Sequence, residues 1–320
     1  MAKLITIGDL SSFEAKDKVL KKGEVLCEEL ESGNILFFPK IPFCFPQNDI
    51  DFLLEQKQTG NSSRKNIAYK PYIDKITNAV SYSKTDQEKM LEIMRNYSYN
   101  VKEFLTQLLT PYASSWRLDY ASFRPVQEKG RKLRIRARND LLHTDAFPSR
   151  PMHGTRILRF FTNINKTESR KWVTSDSFEP LAQKFAGAKG VPFPKRPRTS
   201  AKAKTKRILK RCAKGMGLPV ILRSPYDVFM LKFHHFLKEN QDFQKNSEKQ
   251  HWEFAPGSCW AVFTDLVSHA ALEGKFAMEQ TLLVPRSALL NPEKSPLSIL
   301  ERLSGDVMVD PVFAGPKSYL

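Results

Sequence analysis

The sequence predicts a mixed α+β fold in which helices surround a barrel or sandwich of short strands. Short runs of β-branched and aromatic residues recur between residues 118 and 284, as is typical of strands. Two longer segments, residues 87–109 and 224–244, instead carry apolar residues at helical spacing. The chain has 320 residues and 41% apolar content, which is enough to bury a core.

The N-terminal third is predicted to contain one strand followed by one long helix. Residues 34–39 form a short apolar run, and residues 42–46 begin and end with a proline, which indicates a turn. The helix follows at residues 87–109, and we expect one of its faces to pack and the other to be solvated. Its apolar stripe consists of Met90, Ile93, Met94, Tyr97, Val101, Phe104, Leu105, Leu108 and Leu109.

The remainder of the chain is predicted to hold most of the strands. These are residues 119–124, 131–136, 157–164, 260–263 and 280–284. The second helix, residues 224–244, opens with Ser224 and Pro225 and has Asp227 in its first turn, a combination typical of helix starts.

Three regions are expected along the chain. Residues 1–115 form a mixed and helical region that packs on the core, and residues 116–290 form the core itself. A basic loop-helix insertion interrupts the core near residues 184–250, because residues 184–214 are rich in Lys, Arg, Pro, Gly and Ala and indicate an exposed loop leading into a helix. Residues 291–320 are expected to be a C-terminal tail.

The charge of the chain indicates an anionic partner. Lys and Arg number 51 against 34 Asp and Glu, a net charge of +17, which suits a nucleic acid, an anionic membrane surface or an acidic substrate. The four cysteines show no paired spacing, which argues against a zinc ribbon or a disulfide framework and favours a reducing compartment. No signal peptide and no run of about 20 apolar residues is visible, so we expect a soluble cytoplasmic protein.

His143-Thr144-Asp145 is the motif that points to a metal. If these residues lie on a strand, the imidazole and the carboxylate face the same side and form a chelating pair. With a distant third ligand, His269, they would form the facial triad of non-haem iron oxygenases, which leaves metal positions open for a cosubstrate and O2. The alternative is a surface turn in which Asp145 caps a backbone group or pairs with an arginine.

Four further histidines compete as ligands, and each has a simpler interpretation. His234 and His235 lie on the second predicted helix, where one is expected to face the core and the other the solvent. His153 lies in a Pro-Met-His-Gly turn, which favours a capping or rim position. His251 is adjacent to Trp252 and fits surface packing.

At residues 141–165, LLHTDAFPSRPMHGTRILRFFTNIN, the chain resembles the Kdo hydroxylase family. These are Fe(II)-, 2-oxoglutarate- and O2-dependent enzymes that hydroxylate 3-deoxy-D-manno-oct-2-ulosonic acid (Kdo) in the lipopolysaccharide inner core. Further similarity lies at residues 122–125, 170–172, 226–244 and 279–281, so the resemblance extends from about residue 117 to 285.

The resemblance implies a double-stranded β-helix core of the jelly-roll or cupin-like type, with helices around it. It implies hydroxylation at carbon 3 of a Kdo sugar in Kdo-lipid A, with Fe(II) as the metal and 2-oxoglutarate and O2 as cosubstrates. The residues that match the family's metal ligands are His143, Asp145 and His269. Those that match its basic substrate groove are Arg124, Arg159, Arg170 and Trp172, and guanidinium groups and an indole ring suit an anionic sugar.

The anchor for the distal carboxylate of 2-oxoglutarate departs from the commonest oxygenase pattern. That pattern has Arg or Lys about ten residues after the distal histidine, where this chain has Glu279, Gln280 and Thr281. Two alternatives remain, and we favour the first: Arg159 on the predicted strand 157–164, or Lys275, with hydrogen bonds from Gln280 and Thr281. An unpaired cation within an apolar strand is costly, so Arg159 is expected to have an anionic partner.

Two other functions are compatible with these observations. One is a 2-oxoglutarate oxygenase that acts on protein or nucleic acid, which the net charge allows. The other is a non-catalytic cupin-like protein in which the histidines are structural. The resemblance favours Kdo-bearing lipid A or a lipopolysaccharide precursor as the partner, with no nucleic acid. It also favours contact with the anionic inner face of the inner membrane of a Gram-negative bacterium. The sequence gives no indication of the oligomeric state.

Overall fold

The computed structural model describes residues 1–8, 16–56, 66–79, 83–187, 191–193 and 221–309. Within them, the helices are α1 (Lys16–Glu31), α2 (Gln47–Glu55), α3 (Lys84–Leu108), α4 (Phe178–Phe185), α5 (Pro225–Glu239), α6 (Gln241–Asn246) and α7 (Pro296–Ser304). The strands are β1 (Leu4–Thr6), β2 (Ile35–Phe38), β3 (Ile67–Lys70), β4 (Lys75–Thr77), β5 (Arg117–Arg124), β6 (Arg156–Asn163), β7 (Arg170–Ser177), β8 (Gln250–Phe254), β9 (Cys259–Phe263), β10 (Val267–Glu273) and β11 (Ala277–Val284).

The strands form two sheets, and the predicted mixed fold of helices and short strands is confirmed. The large sheet has eight strands in the order β1-β2-β9-β6-β11-β5-β3-β4. Its β1–β2 pair is parallel and its other pairs are antiparallel. The small sheet has the order β10-β7-β8 and is antiparallel throughout. Apart from the β3–β4 pair, neighbouring strands are separated by long stretches of sequence, so the tertiary fold assembles residues from both halves of the chain.

The centre of the large sheet is covered on both faces. Strands β6 and β11 are buried at every position. Because side chains alternate along a strand, Phe160 and Phe161 of β6 point in opposite directions. Phe160 packs 6.0 Å from Phe104 of α3, between ring centroids, whereas Phe161 packs 4.8 Å from Trp172 of the small sheet. The core therefore has one layer under α3 and another between the two sheets, and the second layer borders the cavity described below.

Helix α5 begins at a capping box, as its sequence predicts. The Ser224 hydroxyl accepts from the Asp227 N–H, and the Asp227 carboxylate accepts from the Ser224 N–H at 2.8 Å. The predicted single helix over residues 224–244 is wrong at its end, because helix α5 ends before Asn240. The Asn240 side chain accepts from the Phe243 N–H at 3.1 Å and so starts the separate helix α6.

The strand predicted at residues 131–136 is also wrong. The structure has irregular chain there, followed by a 3₁₀ turn at Ile135–Ala137. The segment pairs with neither sheet, and Lys132, Arg134 and Arg136 are exposed, so hydration of their charges replaces strand pairing. Most of the predicted basic insertion, at residues 188–190 and 194–220, lies outside the described residues. None of the helices in the described ranges is long and apolar enough to cross a bilayer.

Candidate metal centre and its cavity

The three side chains predicted to bind a metal meet at one point. His143 forms an isolated bridge with His269 of β10, through N–O distances of 3.1 and 2.9 Å, and their ring centroids are 4.8 Å apart. The Asp145 N–H donates to the Thr264 carbonyl at 2.8 Å. As a result, one ligand atom from each of His143, Asp145 and His269 lies within 4.8 Å of the others. Strand pairing at residues 143–145 is limited to the single bridge at His143.

Hydrogen bonds fix the orientation of both imidazoles. Nδ1 of His143 lies 2.7 Å from the Leu141 carbonyl, and Nδ1 of His269 lies 2.9 Å from the Val267 carbonyl. A carbonyl only accepts, so Nδ1 carries the proton in each ring and Nε2 keeps its lone pair. Oδ2 of Asp145 is buried, and its neighbour is the Arg159 guanidinium, with Nε 3.1 Å away. Two imidazole nitrogens and a buried carboxylate oxygen on one side of a cavity fit a divalent iron-type ion with open positions.

The protonation states also suit a metal. Burial lowers the pKa of His143 well below its ordinary value, with a further contribution from the Lys238 charge. Burial likewise lowers the pKa of His269. Burial of Asp145 acts to raise its pKa, but the neighbouring Arg159 charge outweighs this and brings the pKa to about 2. At neutral pH the cluster therefore holds two neutral imidazoles and one carboxylate, the forms that bind metal ions.

His234 is a residue of this site that the sequence placed only on a helix, facing either the core or the solvent. Its Nδ1 donates to the Thr144 carbonyl at 2.7 Å, and its ring lies edge-on to His143 with centroids 4.9 Å apart. It therefore holds the peptide between two of the triad residues. Its spacing from Lys238, one helical turn later, is the only sequence signal that both side chains share a face.

The other competing histidines lie apart from the triad. His153 pairs with Asp227, with Nδ1 and Oδ2 3.0 Å apart, and its backbone N–H donates to the same carboxylate. His251 is exposed on β8. Among the described residues, the metal-type cluster contains His143, Asp145 and His269 alone.

An open cavity of about 250 Å³ lies beside the triad. We call its two sides the sheet wall and the helix wall. The sheet wall consists of Arg124, Arg159, Arg170 and Trp172, and the helix wall consists of Arg136, His234, His235 and Lys238. The triad lies between them, because the His143 ring contacts His234 and the His269 ring stacks on Trp172, with centroids 5.2 Å apart and planes at 17°.

Arg159 links the triad to a second buried carboxylate. Its Nε lies 3.1 Å from Asp145 Oδ2, and one of its terminal nitrogens lies 3.1 Å from Glu279 Oε1. The other oxygen of Glu279 accepts from Nε of Arg124 at 3.0 Å. Burial acts to raise the pKa of Glu279, but the charges of Arg124 and Arg159 hold it below its ordinary value. The expected anionic partner of Arg159 thus exists within the protein itself.

Arg170 and Trp172 present unused donors in the same wall. Arg170 donates to the Gly274 carbonyl at 3.1 Å and lies 3.4 Å from a carboxylate oxygen of Glu128. Burial lowers its pKa to about 10, so the guanidinium remains charged at neutral pH. Nε of Arg170 and Nε1 of Trp172 are both buried without a hydrogen-bond partner. Such donors have a strong free-energy preference for an acceptor, which an anionic ligand in the cavity would supply.

Two residues considered as cosubstrate anchors lie away from this cavity. The Gln280 side-chain amide donates to the carbonyls of Asp119 and Thr281, at 3.0 and 2.7 Å, and does not line the cavity. The reason is strand alternation, since Glu279 points to the sheet wall and its neighbour points to the opposite face. Lys275 also lies outside the cavity lining and pairs with Glu168 at 3.8 Å.

Comparison with known proteins shows the family. The sequence profile of 3-deoxy-D-manno-oct-2-ulosonic acid (Kdo) hydroxylase matches residues 14–307. Among solved structures, the apo form of the Kdo hydroxylase KdoO, a non-haem Fe(II) α-ketoglutarate-dependent dioxygenase, is 32% identical with a TM-score of 0.78. Its complex with cobalt(II) is 34% identical with a TM-score of 0.79, and its complex with α-ketoglutarate and Fe(III) is 33% identical with a TM-score of 0.78.

Each of these alignments covers 96% of this chain and 97% of KdoO. A search of curated protein sequences gives no significant match. Because the family profile spans most of the sequence and the structural match spans nearly all of both chains, this protein belongs to the Kdo hydroxylase family.

Proposed function

We propose that this protein is an Fe(II)- and 2-oxoglutarate-dependent dioxygenase that hydroxylates carbon 3 of a Kdo sugar in Kdo-lipid A. The observation that carries the proposal is the cluster of His143, Asp145 and His269, with its free imidazole nitrogens and buried carboxylate oxygen, inside an arginine-lined cavity. The chain belongs to a family of Kdo hydroxylases, and KdoO has been solved with α-ketoglutarate and Fe(III).

The proposed metal ligands are His143, Asp145 and His269. Bound Fe(II), with 2-oxoglutarate and O2, would supply the oxidation, in which one oxygen atom enters succinate and the other enters the substrate. The protein holds both imidazoles in the neutral tautomer through backbone carbonyls, and Arg159 keeps Asp145 ionised. Phe147 and Phe161 contribute apolar surface to the cavity, which would exclude water from the reacting groups.

The sheet wall is the proposed site for anionic groups. Arg159 is the cosubstrate anchor that we favour, because its guanidinium lines the cavity beside the metal ligand Asp145. Gln280 has less support as a cosubstrate contact, because its amide is used by backbone carbonyls. We propose Arg124, Arg170 and Trp172 as substrate-binding residues, supported by their position in the cavity and by the free donors of the last two.

We also propose a division of the chain into a core and the regions that pack on it. Two sheets with the triad between them support a double-stranded β-helix core in residues 116–290. Residues 1–115 would pack on it, since β2 pairs with β9 and α3 packs against β5. The remaining proposed regions are the insertion near residues 184–250 and the C-terminal tail at residues 291–320.

A lipid-linked substrate requires approach to a membrane, and we propose peripheral contact with the inner face of the inner membrane. The turn at Ile135–Ala137 carries an exposed isoleucine between the exposed Arg134 and Arg136, and Arg136 lines the cavity. Basic residues beside an apolar tip suit anionic headgroups. Sedimentation with anionic vesicles should therefore weaken at high salt, and equal binding to neutral vesicles at any salt would refute electrostatic docking.

The enzymatic test measures succinate release after anaerobic reconstitution with Fe(II), with and without Kdo-lipid A. We expect the lipid to stimulate succinate release and to gain one oxygen atom, and His143→Ala to lose both because a metal ligand is missing. Succinate release that the lipid does not stimulate would support an oxygenase that acts on another substrate, such as protein or nucleic acid. Intact iron binding without any turnover would favour a non-catalytic cupin-like protein.

A further inference from the structure

Lys238 is a buried cation of the helix wall that the proposed function does not yet use. It is 3% exposed, although it lines the cavity. Its ammonium group has three N–H donors, and one of them reaches the Arg136 carbonyl at 3.3 Å. Two donors of this ammonium therefore remain available to a group inside the cavity.

The other basic residues of the cavity already have carboxylate partners. These are Arg124 with Glu279, Arg136 with Glu239, Arg159 with Asp145 and Glu279, and Arg170 with Glu128. Within the described part of the chain, Lys238 is the cavity cation that has no carboxylate within 4.0 Å. A buried charge without a counterion is unfavourable in free energy, and a bound ligand of opposite charge offsets that penalty.

Lys238 also lies close to the reacting centre. It follows His234 by one turn of α5, so the two side chains share a helix face, and the His234 ring contacts His143. Its charge contributes to the lowered pKa values of both triad histidines. Burial lowers the pKa of Lys238 itself to about 8, which still leaves it largely protonated at neutral pH.

Charge balance indicates what it would bind. A divalent iron and the dianion 2-oxoglutarate cancel each other, and the cavity arginines are paired with carboxylates of the protein. The charge left over is that of Lys238, which fits one further monoanionic group. A cosubstrate held at Arg159 would leave the helix wall free for that group, and the substrate sugar carries one carboxylate.

We propose that Lys238 binds the carboxylate of the sugar-acid substrate and so orients the sugar toward the metal centre. This inference rests on the proposed function and names the contact that makes the site selective for a sugar acid. It places 2-oxoglutarate at Arg159 of the sheet wall and the sugar carboxylate at Lys238 of the helix wall.

The test compares Lys238→Met and Lys238→Gln, which remove the charge, with Lys238→Arg, which keeps it. Lys232→Met is the matched control, because Lys232 lies exposed on the same helix. Initial rates are measured with Kdo-lipid A and with a derivative in which the Kdo carboxylate is an amide. The dissociation constant of 2-oxoglutarate is measured separately, by anaerobic spectroscopic titration of each Co(II)-loaded variant.

We expect both charge-removing variants to raise KM for Kdo-lipid A about 10- to 100-fold, with unchanged 2-oxoglutarate affinity and partial rescue by arginine. Wild-type protein should discriminate against the amide by a similar factor, and Lys238→Met should not discriminate. Independent, additive effects of the variant and the amide would overturn the contact. Weaker 2-oxoglutarate binding with unchanged KM for the lipid would make Lys238 a cosubstrate anchor instead.

Two further results distinguish failure of this inference from failure of the proposed function or of protein folding. If wild-type protein gives no lipid-stimulated succinate, the proposed function fails, and the inference fails with it. If Lys238→Met does not fold, as thermal unfolding would show, the amide derivative is compared on wild type and Lys238→Gln, and equal KM values for acid and amide on wild type refute the inference.

Discussion

At the scale of single residues, the metal centre depends on side chains that do not touch the metal. His234 donates to the Thr144 carbonyl, and Thr144 lies between His143 and Asp145. The Nδ1 protons of His143 and His269 are held by carbonyls of their own segments. Supporting hydrogen bonds of this kind orient metal ligands, and their loss typically reduces metal affinity about 10- to 100-fold.

We therefore predict that His234→Leu weakens Co(II) binding by about that factor, because the Thr144 carbonyl loses its donor and the triad loosens. His234→Asn keeps a donor at a similar distance along the side chain and should restore much of the affinity. Isothermal titration of the metal-free protein with Co(II) measures this effect, with His251→Ala on the surface as the control. Equal affinity for all three variants would show that His234 has no positioning role.

At the scale of elements, the turn between β10 and β11 holds Arg170 of the sheet wall in position. Gly274 has a φ of +117°, its carbonyl accepts from Arg170, and its N–H donates to the Gln127 side chain at 2.5 Å. A Cβ at this position would lie 3.0 Å from Cγ and 3.1 Å from Cα of Arg170. Glycine is therefore required here both for the backbone conformation and for the close approach of Arg170.

Gly274→Ala is predicted to lower the free energy of unfolding by about 1–3 kcal/mol and to weaken binding of Kdo-lipid A, since Arg170 must move. Gly257→Ala is the matched control. Its φ is +74°, and a Cβ there would meet no heavy atom within 4 Å, so it tests backbone strain without the contact. Urea unfolding and the KM for Kdo-lipid A measure the two effects. If the control loses as much stability and affinity, the Arg170 contact is not the cause.

At the scale of the whole molecule, the buried histidines couple stability to pH. Burial lowers the pKa of His143 and His269, and it lowers the pKa of His234 to about 3. In the unfolded chain each would titrate near about 6.5. Below that pH the unfolded chain binds protons that the folded chain does not, so folding becomes less favourable as pH falls.

The metal-free protein is accordingly predicted to lose stability between about pH 6.5 and 4, each such histidine adding up to about 1.4 kcal/mol per pH unit to the slope. His234→Asn should give a shallower slope because one of these groups no longer titrates. Urea unfolding in the presence of a chelator, at several pH values, measures the slope, and His251→Asn is the exposed control. A slope unchanged by His234→Asn would contradict the linkage.

The sequence by itself determined the elements that depend on local patterns. Helical spacing predicted α3, and runs of apolar residues predicted β2, β6, β9 and β11, with boundaries shifted by a few residues. The Ser224 cap predicted the start of α5, and the His143-Thr144-Asp145 motif, with the resemblance to Kdo hydroxylases, supplied the candidate triad. These features are local because their hydrogen bonds or side-chain periods involve residues close in the chain.

The tertiary structure decided which charged side chains meet. Arg124 and Glu279 are separated by 155 residues in sequence, and the pairing of β5 with β11 brings them together. The alternation of β11 turned Glu279 toward the cavity and Gln280 away from it, which residue type alone did not indicate. Lys238 is one of 51 basic residues in the sequence, and only its burial without a carboxylate partner distinguishes it. Long-range strand pairing and desolvation, which no local pattern encodes, are the physical reason.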